Sequence, residues 1–186
     1  MKRAAIGLRA KTGKAIAVVL TMDSDTPSFV WRGVLSLVDP RIQATAEPYH
    51  EVMELPWNEA TVAVQPLAAA IEAVASAAIR DVIASTNVPI RVAGIVGSPP
   101  RNLARIGNEH IRAHAAEGVL FRQVLEAGAK ANHLSCVAFS EFELKENESS
   151  LPHLAATLQE FGRIAGAPWR ADEKLAATAA WLALSR

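Results

Sequence analysis

Cysteine is nearly missing from this sequence: Cys136 is the only one in 186 residues. No internal disulfide can form, and its place in the apolar run LSCVAF marks it as a small hydrophobe rather than a redox centre. An excess of one charge is missing too. Nineteen basic residues balance nineteen acidic ones, which removes the overall basic surplus of a strong phosphate-backbone binder but leaves room for a local patch. Aromatic residues make up 5%, and Trp31, Trp57, Trp169 and Trp181 are too scattered for a base-stacking platform. The basic opening MKRAAIGLRAKTGKAIAVVL is interrupted by Arg9, Lys11 and Lys14. The apolar runs left between them are too short for a secretory core or a membrane span, so the chain reads as cytoplasmic and mature from Met1. Internal repeats, a low-complexity tail, a P-loop and a dinucleotide-binding glycine fingerprint are absent as well.

What is present is an apolar fraction of 51% with 20% charge, enough to bury a full core in one domain over 1–186. Residues 4–38 carry strand signals: AAIGLRA, a turn at Lys11, Thr12 and Gly13, KAIAVVLT, a polar break, and FVWRGVLSLV, which together predict an antiparallel meander. Residues 39–58, with Pro40, Pro48 and Pro56, read as a long connection that could hold a short strand over 49–55. After Pro66 an alanine-rich stretch places Leu67, Ile71, Val74, Ala78 and Val82 at helical spacing, predicting a helix to about residue 86. IRVAGIVGSPP is a buried strand stopped by Gly97 and two prolines. A helix over 108–130, a strand LSCVAFSEFEL with Val137, Phe139, Glu141 and Glu143 on one face, and helices over 151–164 and 172–185 complete the order. The crossovers then give a five-stranded mixed α/β sheet with helices on both faces.

That element order resembles the ribonuclease H-like superfamily. The run DEKLAATAAWLAL looks like the closing helix of RuvC-type Holliday-junction resolvases, and AKTGKAIAVVL resembles that family's first hairpin. The resemblance implies carboxylates on the first strand, on the fourth strand and at the start of the last helix, holding two metal ions for phosphodiester hydrolysis. Asp172 and Glu173 match the last of these positions. The first strand, AIGLRA, and the fourth, AGIVGS, offer no acid, and Arg9 in such a shell would repel two cations. The fold is the implied inheritance, and the two-metal chemistry is not.

The stretch HIRAHAAEG supplies other candidates. Wound at about 100° per residue, the helix over 108–130 puts His110, His114 and Glu117 in the same arc as Phe121, Val124 and Leu125, facing the sheet near the carboxyl end of the fourth strand. Such a trio either ends a core stripe, with Glu117 paired to Arg112, Arg122 or a histidine, or, with Asp172, binds a divalent metal or works as acid and base. The zinc-protease spacing HExxH is not there. Upstream, Arg101 and Arg105 in GSPPRNLARIGN lead into the helix start, a place that favours anions, and Lys11 and Lys14 would extend the positive patch. Glu141 and Glu143 are either metal ligands or the solvated end of an edge strand, and Trp169, next to Arg170, could wall the crevice.

Three functions follow as expectations. The first is binding of a phosphate-bearing ligand or a nucleic-acid end by Arg101, Arg105, Lys11 and Glu173, with His110, His114 and Glu117 lining the floor and the two-metal nuclease activity lost. The second is a metal-dependent hydrolase or nuclease with His110, His114, Glu117 and Asp172 as a rearranged site. The third is a non-catalytic interaction subunit, for which the alanine-rich helices offer flat faces for a partner chain or a homo-oligomer.

Overall fold

The turn-bounded apolar runs of the first three segments do form three long strands. The computed structural model describes residues 3–186. In it β1 (Arg3–Lys11), β2 (Lys14–Asp23) and β3 (Thr26–Ser36) form an antiparallel meander. Gly13, at φ +71°, makes the tight turn between the first two, a left-handed conformation open to glycine at no steric cost. β4 (Ile90–Val96) and β5 (Ser135–Phe139) add in parallel, so the sheet order is β3-β2-β1-β4-β5. The first and fourth strands lie side by side. This is the ribonuclease H-like α/β architecture that the element order implied.

Two helices cover one face: α2 (Gln65–Thr86) and α3 (Glu109–Ala131) pack on Ile6, Leu8, Ala17, Val19 and Ile95. The buried stripe of α2 is Ile71, Ala75, Ile79 and Val82, one step off the predicted set in its middle turns. The opposite face carries α4 (Glu141–Asn147), α5 (Leu154–Ala165) and α6 (Ala171–Leu184) over Ala5, Val18, Leu20 and Val96. Among the described residues no single helix is long and apolar enough to cross a membrane.

The alanine-rich α6 lies directly on the centre of the sheet. A Cβ on Gly7 would sit 1.8 Å from the Ala176 carbonyl oxygen, and one on Gly94 would sit 2.2 Å from that of Ala179. Gly7 and Gly94 are register partners on β1 and β4, so the helix meets two strands where both lack side chains. That contact fixes where the start of α6 falls: beside the carboxyl end of β1.

Three local expectations are corrected. No strand forms over 49–55; turns fill that segment, and a short helix α1 (Trp57–Ala63) follows Pro56. β5 stops at Phe139, because Ser140 caps α4 by accepting the Glu143 N–H at 3.1 Å while the Glu143 carboxylate accepts the Ser140 N–H at 2.7 Å. That reciprocal pair is a helix-start signature hidden in SEFE. The hydrogen bond from the Ser140 N–H also holds the Glu143 carboxyl below its ordinary range. Glu141 and Glu143 are thus helical residues and not the end of an edge strand. The helix expected from residue 151 begins at Leu154.

Candidate functional site

Two polar clusters form near the carboxyl ends of the central strands, one on each face of the sheet. The first is built around Arg9. The α6-facing positions of β1 and β4 include Ala5, Gly7 and Arg9, and Val92, Gly94 and Val96; none is a carboxylate. Arg9 is largely buried and ion-pairs with Glu141 of α4 and, at 3.5 Å, with Asp172 of α6. Lys11 donates to the other Asp172 oxygen at 3.1 Å. Burial alone would raise the Asp172 pKa; the Lys11 hydrogen bond and charge, joined by Arg9, outweigh it and hold the carboxyl below its ordinary value. Two cations thus occupy the neighbourhood in which the resemblance implied two metal ions, and both are paired with Asp172, one of the acids that match its pattern. This donor set does not fit a two-metal centre, because guanidinium and ammonium groups add positive charge where anionic oxygens are required.

Glu173 is not available to a ligand either. It is buried, and its carboxylate accepts the Arg170 N–H at 2.9 Å, closing the first turn of α6. Beside this cluster opens a cleft of about 380 Å³, lined by Arg9, Lys11, Thr12, Gly97, Ser98 and Glu141 among others. Arg101 and Arg105 are exposed in the loop that leads from this cleft to α3. Among the described residues neither forms an ion pair. Trp169 does not wall the cleft. It packs edge-on against Phe29, centroids 6.0 Å apart, on the α5 side of the molecule. Burial pushes the half-buried Cys136 thiol up, which disfavours the thiolate a nucleophile needs.

The second cluster gathers at the start of α3. Asn108 caps that helix, its side chain accepting the Ile111 N–H at 2.9 Å. Glu117 faces inward as the winding predicted and is fully buried. His110 and His114 correct the expectation: they share that stripe but are exposed, while Ala113, Ala115 and Ala116 of the same turns are buried, because this end of the stripe lies against the connection that holds His50 and not against the sheet. That connection supplies His50, which sequence reasoning missed. One Glu117 oxygen accepts from His50 Nδ1 at 2.8 Å, the Tyr49 N–H at 3.2 Å and the His50 N–H at 3.3 Å. Tyr49 stacks on Trp57, with centroids 5.6 Å apart, and Arg112 sits 5.4 Å over the Trp57 ring, clamping the connection to α3.

The three imidazoles pack edge to face, with centroids 5.0 Å apart for His50 and His110, 4.4 Å for His50 and His114, and 4.5 Å for His110 and His114. Asp172 does not join them, being held by Arg9 and Lys11 at the start of a helix on the other face. Only long-range contact brings His50 to the pair. A hint was available in the sequence: a histidine in a proline-punctuated connection, in a chain with just five histidines.

No protein-family model matches the sequence, and no curated protein matches it. Solved structures that resemble the fold include Thermus thermophilus RuvC in complex with a Holliday junction substrate and Thermus thermophilus RuvC by itself. Each superposes with a TM-score of 0.50 at 11% identity over 96% of this chain, and over 90% and 91% of the respective RuvC chains. At that identity the likeness carries architecture alone, and it carries it over nearly the whole length: this chain has the ribonuclease H-like fold of RuvC.

Proposed function

We propose that this chain is a ribonuclease H-like binding domain that takes a phosphate-bearing ligand, most simply a nucleic-acid strand or end, beside the carboxyl ends of β1 and β4, without two-metal hydrolysis. The observation that carries this reading is Arg9, a cation paired with Asp172 and Glu141 where the fold's nucleases need an anion. Arg101 and Arg105, exposed and free of ion pairs among the described residues, are the ligand contacts, with Lys11 at the cleft wall. The start of α3 adds partial positive charge beside them. A relative in fold that is solved on branched DNA supports the choice of ligand class.

The test is titration of a labelled four-way DNA junction and a matching duplex at several salt concentrations. Affinity falls with salt, and Arg101→Ala and Arg105→Ala each weaken binding and reduce the log-log salt slope by about 1. Isotherms indifferent to both substitutions overturn the reading. Incubation of the same DNA with Mg²⁺ or Mn²⁺ leaves it intact; cleavage that disappears in Asp172→Asn would restore the nuclease.

A further inference from the structure

We infer that His50, His110 and His114 form a three-histidine site for a divalent transition-metal ion of the zinc class, held in register by Glu117. One nitrogen from each of the three imidazoles falls within 4.8 Å of the other two. A tetrahedral ion with Zn–N bonds of about 2.0–2.1 Å sets its ligand nitrogens about 3.3 Å apart. His110 Nε2 and His114 Nε2 are already 3.1 Å apart. Their i, i+4 spacing puts both on one helix face, so part of the geometry comes from α3 itself.

A plain imidazole-to-imidazole hydrogen bond would account for that one distance. It does not account for His50. Glu117 accepts the hydrogen bond from His50 Nδ1–H, which in the neutral ring leaves the lone pair on Nε2, and that Nε2 is buried with no hydrogen-bond partner. The second oxygen of Glu117 is likewise buried and unpartnered. Polar atoms left this way inside a protein cost stability unless something completes them. A cation at the histidines supplies the missing partner for Nε2 and offsets the buried carboxylate charge. A carboxylate that orients an imidazole through its far nitrogen is also the arrangement that recurs behind histidine metal ligands.

The donor chemistry narrows the ion. Three imidazole nitrogens suit zinc, copper, nickel or iron and are poor for magnesium or calcium. Because His110 and His114 are exposed, a fourth coordination position opens to solvent, where a water or a ligand group can bind. The third ligand comes from a segment about sixty residues away, so the site exists only in the folded chain, and ion binding ties residues 47–55 to α3. This inference is independent of the anion-binding reading and stands or falls separately.

Titration of the untagged, chelator-stripped full chain with Zn²⁺, and with Co²⁺ followed by its visible absorption, decides it. One ion binds per chain, and the Co²⁺ complex shows the intense bands of a four-coordinate site. Glu117→Gln weakens binding about 10–100-fold, and His114→Ala weakens it further. The double variant His110→Ala, His114→Ala, altered only at exposed positions, keeps the wild-type melting temperature in metal-free buffer and loses stoichiometric uptake. Wild-type uptake well below one ion per chain overturns the inference, as does full uptake by the double variant. Should Glu117→Gln fail to fold, the histidine variants alone separate these outcomes.

Discussion

The cluster at Arg9 and the cluster at Glu117 are opposites in how they handle buried charge. Around Arg9, two cations face two carboxylates and every charged group has a partner of the other sign. Around Glu117, one fully buried carboxylate is answered only by an imidazole and two backbone N–H groups, and Glu117 Oε2 and His50 Nε2 stay unpartnered. A closed set of ion pairs has little left to offer a ligand within itself, which is why the proposed ligand contacts are the arginines at its border, unpaired among the described residues. An incompletely satisfied network is where an additional group is wanted.

Removing Glu117 strikes the more vulnerable of the two regions. Glu117→Ala leaves the Tyr49 and His50 N–H groups and the His50 ring without their acceptor inside the protein, and costs about 2–3 kcal/mol in urea unfolding. A loss below about 1 kcal/mol would mean that the connection over residues 47–55 is held by Tyr49 and Trp57 stacking and not by the carboxylate.

Gly94→Ala attacks the other region through its support. The new Cβ must push α6 off β4, costing about 3 kcal/mol and shifting Asp172 away from Arg9, while the histidine cluster keeps its metal uptake. Melting curves together with Zn²⁺ titration check both halves, and a variant as stable as the wild type would show that the helix does not rest on this contact.

The smallest effect belongs to the ion pairs themselves. Asp172 has a folded pKa lowered below the ordinary 3.8, so its pairing stabilises the protein above that value, and the contribution is lost as pH falls through the folded pKa. The carboxylate is about a third exposed, which limits the contribution to about 1 kcal/mol or less. Asp172→Asn is therefore slightly less stable than wild type at neutral pH, and the two converge in acid. Denaturant curves at pH 7 and pH 3 measure this; a gap that widens in acid would reverse the assigned sign.

The architecture could be read in the sequence because its periods are clean. The turn-bounded apolar runs in AAIGLRA and KAIAVVLT, the uninterrupted IRVAGIV and the alanine-rich helices each admit one element, and short links with right-handed crossovers then place β1 next to β4. Arg9 was legible as a misfit for the same reason, since its strand position follows from alternation. The histidine site was legible only by half. His110, His114 and Glu117 share a stripe by helical geometry, but periodicity does not tell where a stripe leaves the core, and so the two histidines read as buried. His50 lies in a segment without periodicity, and its contact to Glu117 spans 67 positions. At Ser140 the pleated pattern of LSCVAF ran on into an acidic stretch whose capping chemistry outweighs alternation.

Gly7 and Gly94 give the molecule a keel. Where backbone rests on backbone at those two positions, no flexible side chain lies between helix and strand to absorb a tilt, so the helix start that carries Asp172 is held at a fixed height over the sheet. Asp172 therefore meets Arg9 and Lys11 from a rigid mount, and a change at either cation has to be absorbed by the side chains, since the helix cannot slide over its two strands to follow it.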